Sequence, residues 1–321
     1  MRASLRFAPA LVVVLALAAC GDDSSGTGGS GSGGDATGST TTGGPGATTT
    51  TGGTGGGDTS STTTGGGGDA PECNFPDAVE TTPNIVVFDV FEGSAVTVDG
   101  SPVANEQIQV CGINLCLFGD TDADGNVTVT QGSDPLDVPL FKIGDGLVRA
   151  KIGFPLPDVG GTVEVVGTTL ELGDSGTAIA SGAVADADGI VLTVAADGLV
   201  GLNELDYSDP GEDTFRAALV PADSLDAVAP GQDFLAIVGL GPHETIFCPP
   251  AALEIPNDAG LEPGAAVELV QQGLETGQYF TLYGEWERVA LGHVSEDGAT
   301  IATDDGEGIP ILSTIGIRLA E

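Results

Sequence analysis

Asp120-Thr121-Asp122-Ala123-Asp124-Gly125-Asn126-Val127-Thr128-Val129-Thr130 carries the pattern that decides the fold. An acidic, glycine-closed turn runs straight into apolar and polar residues in strict alternation. A period of two puts alternate side chains on opposite faces of a strand, and Asp-Gly supplies the positive-φ residues that reverse a chain. The same grammar recurs on both sides of this stretch. Short β-branched runs occupy residues 85–88, 96–98, 107–110, 162–166, 190–194, 234–238 and 267–270, with Asp-Gly, Gly-Gly or proline-containing turns between them. Long helical periodicity is missing, and a short helix is expected near residues 222–228. Strands roughly 8–15 residues apart, punctuated by turns, predict an all-β protein built of antiparallel β-sandwiches. Residues 71–321 are long enough to bury a sizeable core. Two sandwich units are expected, residues 73–155 and 160–321, with the break between them at 155–160.

Composition narrows the function classes. The chain has 321 residues, with 47 Asp and Glu against 8 Lys and Arg, a formal charge of −39. So negative a surface is not drawn to nucleic acid, heparin or anionic lipid headgroups. Two histidines leave no room for a multi-histidine metal site.

The first twenty residues read differently. Arg2 and Arg6 precede the apolar run Ala-Pro-Ala-Leu-Val-Val-Val-Leu-Ala-Leu at 8–17, which is of signal-peptide length and short for a membrane span. Leu17-Ala18-Ala19-Cys20 then closes the segment. This resembles the lipobox of bacterial lipoproteins. The resemblance implies that residues 1–19 are removed as a signal peptide and that Cys20 is lipidated, giving a membrane anchor. In that family an aspartate after the cysteine retains many members at the inner membrane. Gly21 therefore implies the outer membrane, on its periplasmic face or at the cell surface.

Downstream of Cys20, 41 of the 50 residues from 21 to 70 are Gly, Ser or Thr, and none is an apolar residue larger than Ala or Pro. Such a segment buries too little surface to offset its ordering entropy. It is expected to be a disordered linker, residues 20–72 with the lipidated cysteine, spanning about 40 Å on average.

Two further resemblances concern the β-rich part. Residues 98–110 and 119–129, with Ser101-Pro102-Val103 before an alternating strand and Thr121-Asp122-Ala123-Asp124-Gly125 after it, resemble a carboxypeptidase regulatory-like domain. That implies a transthyretin-like seven-stranded sandwich without catalytic machinery. Leu240-Gly241-Pro242, Phe247, residues 249–257 and Gly260-Leu261-Glu262-Pro263-Gly264 resemble the β-sandwich domain of ankyrins, zonula-occludens proteins and netrin receptors. Some relatives of that domain cleave themselves at His-Phe-Ser. Here His243-Glu244-Thr245 and Phe247-Cys248 stand instead, and that activity is not implied.

A lipobox implies an oxidising compartment, so the four cysteines after Cys20 are expected in two disulfides. Cys111–Cys116 closes a short loop and leaves Cys73 with Cys248.

Candidate sites have competing readings. Asp120, Asp122 and Asp124, with Asn126 and Thr128 at positions seven and nine, have the D-x-D-x-D-G spacing of a calcium loop, and Ca²⁺ would be its ion. Gln131 stands where the bidentate Glu belongs, and a plain Asp-Gly hairpin turn accounts for the same residues. A second copy, Asp186-Ala187-Asp188-Gly189, supports the turn. Gly173-Asp174-Ser175-Gly176 copies a serine-protease string, but His243 and His293 both follow it, the wrong order for that class. Tyr279, Phe280, Tyr283 and Trp286 would either stack on sugars or fill a core.

The expected function is a non-enzymatic, lipid-anchored envelope protein that displays binding, adhesion or scaffold modules to a protein or glycan. The rivals are a calcium- or carbohydrate-dependent binding module and an accessory unit to a surface hydrolase.

Overall fold

The computed structural model describes residues 81–158, 160–201, 212–275 and 280–320, all within one compact unit, Gly65–Glu321. With 49% strand and 4% helix, the fold class is all-β with several antiparallel sheets.

The first nine strands are β1 (Ile85–Val86), β2 (Val90–Thr97), β3 (Gln107–Cys111), β4 (Cys116–Asp120), β5 (Asn126–Thr130), β6 (Leu136–Asp137), β7 (Leu140–Ile143), β8 (Ile152–Pro155) and β9 (Thr162–Thr169). β1 and β6 form a short ladder. The other seven make two sheets, β5-β2-β9 and β4-β3-β7-β8. Alternation explains how they pack. Val127 and Val129 of β5 point inward while Asn126, Thr128 and Thr130 face solvent. Phe91 of β2 meets Phe141 of β7 with ring centroids 4.9 Å apart, and Phe141 lies 6.5 Å from Phe154 of β8. Ile108, Val110 and Val163 complete this interior. Strand β9 follows the 155–160 break, yet it runs parallel to β2 in register from Val90↔Thr162 to Thr97↔Thr169. The chain thus takes its seventh sandwich strand from beyond that break.

The remaining elements are β10 (Val184–Ala187), β11 (Ile190–Thr193), β12 (Leu199–Gly201), β13 (Arg216–Leu219), a 3-10 turn (Ala222–Ser224) leading into α1 (Leu225–Val228), and β14 (Ala236–Gly241). After these come β15 (Ile246–Pro256), β16 (Ala266–Gln272), β17 (Trp286–Val294), β18 (Thr300–Thr303), β19 (Ile309–Ile311) and β20 (Thr314–Leu319). The short helix stands where the sequence places it. Nine of these strands pair antiparallel in the order β10-β11-β15-β18-β17-β16-β20-β14-β13, and β12 and β19 also pair with β15. The sheet curls until β10 touches β13. Its interior holds Leu192, Phe215, Val238, Phe247, Leu253, Leu269 and Ile315. The long β15 contains Pro249 and Pro250, which lack an N–H for a ladder. They fall where β15 changes partners, from β12 at Ile246–Cys248 to β11 at Ala252–Glu254.

The two sheet systems share core residues. Ile237 of β14 and Val270 of β16 pack into the sandwich interior with Phe234. Gln272 of β16 donates from Nε2 to Gly153 O at 2.7 Å and accepts the Gly153 N–H on Oε1 at 3.0 Å. Its amide thereby caps the open edge of β8, a backbone that would otherwise be buried unsatisfied.

Candidate functional site

Strand β7 is buried on both faces. Phe141 and Ile143 enter the sandwich core, while Leu140 packs with Leu274 and Tyr283 on the other side. Lys142 therefore points away from the sandwich interior, with its side chain 3% exposed. Burying an ammonium demands a counter-charge. Glu275, just beyond β16, supplies it: Lys142 Nζ lies 2.8 Å from Glu275 Oε1, and Lys151 Nζ lies 3.2 Å from the same oxygen. Lys142 and Lys151 are the two lysines of the chain. The Tyr283 ring sits under Lys142, with Nζ 4.9 Å from its centroid, and the Tyr283 hydroxyl donates to Cys111 O. Burial, with the Glu275 charge nearby, pushes the Tyr283 phenol well above its ordinary value.

His243 completes the group. It follows β14 in a turn held by the His243 N–H donating to Gly146 O, the Glu244 N–H to Leu312 O and the Thr245 hydroxyl to Pro242 O. Its ring is 3% exposed, and Nε2 lies 3.4 Å from Glu275 Oε2. Desolvation raises the Glu275 carboxyl, but the His243 hydrogen bond and the charges of Lys151 and Lys142 outweigh it and hold the group well below the carboxylate range. Glu275 is thus held as an anion facing Nε2, and Nδ1 on the other side of the ring has no hydrogen-bond partner. Glu244 and Glu275 both take positive φ, 65° and 37°. Non-glycine residues in that region are held there by their surroundings and concentrate at functional sites.

These residues border a cleft of about 380 Å³ lined by Glu106, Lys142, Asp145, Lys151, His243 and Glu244, among others. Gly144 shapes its floor: φ is +87°, and a Cβ there would stand 2.0 Å from Ala150 O. Asp145 then accepts the N–H groups of Leu147, Val148 and Arg149 on one oxygen, at 2.8–2.9 Å. Glu106 is paired with Arg149. Burial raises the Glu106 carboxyl, against the opposing pull of Arg149, and its Oε1 has no partner. One ligand atom from each of His243, Glu244 and Glu275 lies within 4.8 Å of the other two, the group of three potential metal ligands found among the described residues.

The residues singled out by sequence fall elsewhere. Asp120 ends β4 and Asn126 begins β5, so the D-A-D-G turn carries the chain from one sandwich sheet to the other and not between paired strands. Asp122 Oδ1 accepts the N–H groups of Asp124 at 2.9 Å and Asn126 at 2.8 Å. The Asn126 bond leads the causes that lower its carboxyl. Asp120, Asp122 and Asp124 do not bring their carboxylates together as His243, Glu244 and Glu275 do, and the Asn126 and Thr128 side chains lie on the outer face of β5. Asp188 and Gly189, with φ of 53° and 76°, form the two-residue turn between β10 and β11. The 173–176 string lies against β13 and the residue before it, with Gly173 N–H donating to Ala217 O and Gly176 N–H to Phe215 O, and Ser175 is exposed. The His243 ring meets Glu275, and His293 Nδ1 meets Asp304 at 2.6 Å. Both partners are carboxylates, and neither is the Ser175 of the protease-like string.

Tyr283 is buried and Trp286 packs edge-on against Phe234 at 5.1 Å, so both serve the interior. Cys111 and Cys116 are disulfide-bonded across directly opposed positions of β3 and β4. Cys248 is also disulfide-bonded. Cys73, Cys20, the linker and Tyr279 lie outside the described residues. No helix among the described residues is long and apolar enough to cross a membrane. No protein-family model, curated protein or solved structure matches the chain.

Sequence reasoning did not find the Glu275 cluster. Its members are far apart in the chain, Lys142 and Glu275 by 133 positions. The available signal was a lysine inside the apolar run Leu140-Phe141-Lys142-Ile143, in a chain with two lysines.

Proposed function

We propose that the chain is a lipid-anchored cell-envelope protein that holds a non-catalytic, all-β binding or scaffold module away from a membrane on a Gly/Ser/Thr linker. The observation that carries this reading is the order of the segments. A lipobox-like sequence ends at Cys20, a low-complexity stretch follows, and then comes a densely cross-paired β unit. The serine-protease string supports the non-catalytic part, because Ser175 is exposed and the two histidines pair with Glu275 and Asp304 instead of it. A disulfide across β3 and β4 suits an oxidising compartment. The outer membrane is the sheet proposed for the anchor, and a protein or glycan outside the membrane is the partner class.

The test is fractionation of cells expressing the full chain and its Cys20→Ala variant. The wild type is expected in the membrane fraction, extracted by detergent and not by high salt. The variant is expected to stay at precursor size, with residues 1–19 attached, and to take up no labelled fatty acid, while the wild type is shortened and labelled. A wild type that takes up no labelled fatty acid, or a variant labelled equally, would reject the lipid anchor.

A further inference from the structure

We infer that the open edge of β4 is a docking strand for an extended segment of another protein, one that alternates apolar and polar residues and is flanked by lysine or arginine. The inference rests on the binding-module reading and names its partner class. It is tested on purified protein, so its failure leaves the lipid anchor standing.

Strand β4 ends the sheet β4-β3-β7-β8. The two ends of the β3–β4 ladder fix which of its backbone groups are bonded. The Gly112 N–H donates to Leu115 O, and the Thr121 N–H donates to Glu106 O. In an antiparallel pair the bonding direction alternates residue by residue. Leu115, Leu117 and Gly119 therefore turn their N–H and C=O groups to β3, while Cys116, Phe118 and Asp120 turn theirs away. Among the described residues, no strand or loop bonds these outward groups. The opposite edge of the same sheet, β8, is closed by Gln272. A row of free backbone groups is a template for one more strand.

The side chains of β4 add to this. A Cβ on Gly119 would meet Val127 and Val129, so Gly119 and Leu117 face the sandwich interior. Phe118 faces the other way and is 57% exposed. Edges are usually blunted by lysine, proline or a bulge, and Leu117-Phe118-Gly119 has none of these. The edge is also held in place. The Cys111–Cys116 disulfide ties its first residue to β3. At the hairpin tip, the Asn114 amide donates to Pro135 O at 2.8 Å and accepts the Asp137 N–H at 2.9 Å. The ordering cost of docking then falls on the incoming segment alone.

Charge selects the occupant. Asp120 ends the edge, Asp122 and Asp124 follow it, and all three are exposed. Both lysines of the chain pair with Glu275 instead. A second copy would bring a like charge of −39 to this edge, whereas a basic segment is attracted to it. Running antiparallel to β4, such a segment sets an apolar residue beside Phe118 and a lysine or arginine, two residues earlier, beside Asp120.

The experiment is fluorescence-anisotropy titration of a labelled, end-capped peptide Lys-Thr-Val-Thr-Val-Thr-Lys with purified full-length protein, alongside hydrogen–deuterium exchange. One control peptide carries proline in place of the first valine, and a second carries glutamate in place of both lysines. Phe118→Pro removes a backbone N–H that no ladder bond uses, and Phe118→Thr removes the ring alone. The expected result is one peptide per chain, with slowed exchange at residues 116–120. Both control peptides and both variants should bind at least about tenfold more weakly. If Phe118→Pro fails to fold, Phe118→Thr decides alone. A proline peptide that binds as tightly as its parent, or binding unchanged in the folded variants, would reduce the effect to charge attraction and overturn the inference. So would no binding, or protection of residues 116–120 that rises with protein concentration alone, which would make a second copy the occupant.

Discussion

Glu275→Gln should be among the most damaging single substitutions in the β unit. The side chain stays the same size, but Lys142 loses its carboxylate while 97% of its side chain remains covered. Removing one partner of a buried ion pair costs about 3–5 kcal/mol, because the other charge is left uncompensated. Lys151, 15% exposed, recovers part of its hydration, so the lower figure, about 3 kcal/mol, applies. In a unit of this size that lowers Tm by about 6–12 °C. Lys142→Met is the contrasting change. It removes the buried cation and leaves Glu275 with Lys151 and His243, so the cost should be about 1 kcal/mol or less. The pH dependence has a definite sign. The Glu275 carboxyl is held below its ordinary value of 4.5. Its contribution is therefore complete above that value and is lost as pH falls through the depressed folded one. Urea melts of wild type, Glu275→Gln and Lys142→Met between pH 3 and 8 measure all of this. The gap between wild type and Glu275→Gln should be constant from pH 8 to about 5 and shrink below. A Glu275→Gln cost under about 1 kcal/mol, or a Lys142→Met cost as large, would refute the buried-charge reasoning.

Three other outcomes follow from the same geometry. Burial raises the Glu106 carboxyl, so its favourable contribution is present below pH 4.5 and is lost as pH rises through the folded value. Glu106→Gln should therefore gain stability relative to wild type between pH 4 and pH 7 in denaturant melts, and the opposite trend rejects the desolvation. Cys111–Cys116 closes a short loop, and the Cys111→Ser/Cys116→Ser pair should cost about 2 kcal/mol in urea midpoint, against no change if the bridge is incidental. Asp122→Ala removes the acceptor for two turn N–H groups and should lower Tm equally in calcium and in EDTA. A calcium-dependent rise in Tm that Asp122→Ala abolishes would make the turn a calcium site.

Period-two alternation and turn chemistry are local, and they were legible. The runs at 107–110, 127–130, 162–166 and 267–270 lie in strands, those at 85–88, 96–98, 190–194 and 234–238 do so in part, and Asp188-Gly189 closes the hairpin that its φ preferences imply. Pairing is not local. That β9 would run parallel to β2, or that 11 strands would form one curled sheet, depends on contacts far apart in the chain. Strand β15 was not marked by a β-branched run, and its Pro249-Pro250 step, without N–H groups, marks an exchange of partners that depends on distant strands. Glu275 was illegible for a related reason. One acid among 47 carries no mark of its own, and only the fold brings both lysines and a histidine to it.

Mass spectrometry of the mature N-terminus is the most direct test of the anchored-module reading. Full-length protein purified from detergent-solubilised membranes should begin at Cys20, lack residues 1–19 and carry the added mass of thioether-linked and amide-linked acyl chains. An N-terminus at Met1, or cleavage elsewhere with an unmodified Cys20, would contradict it.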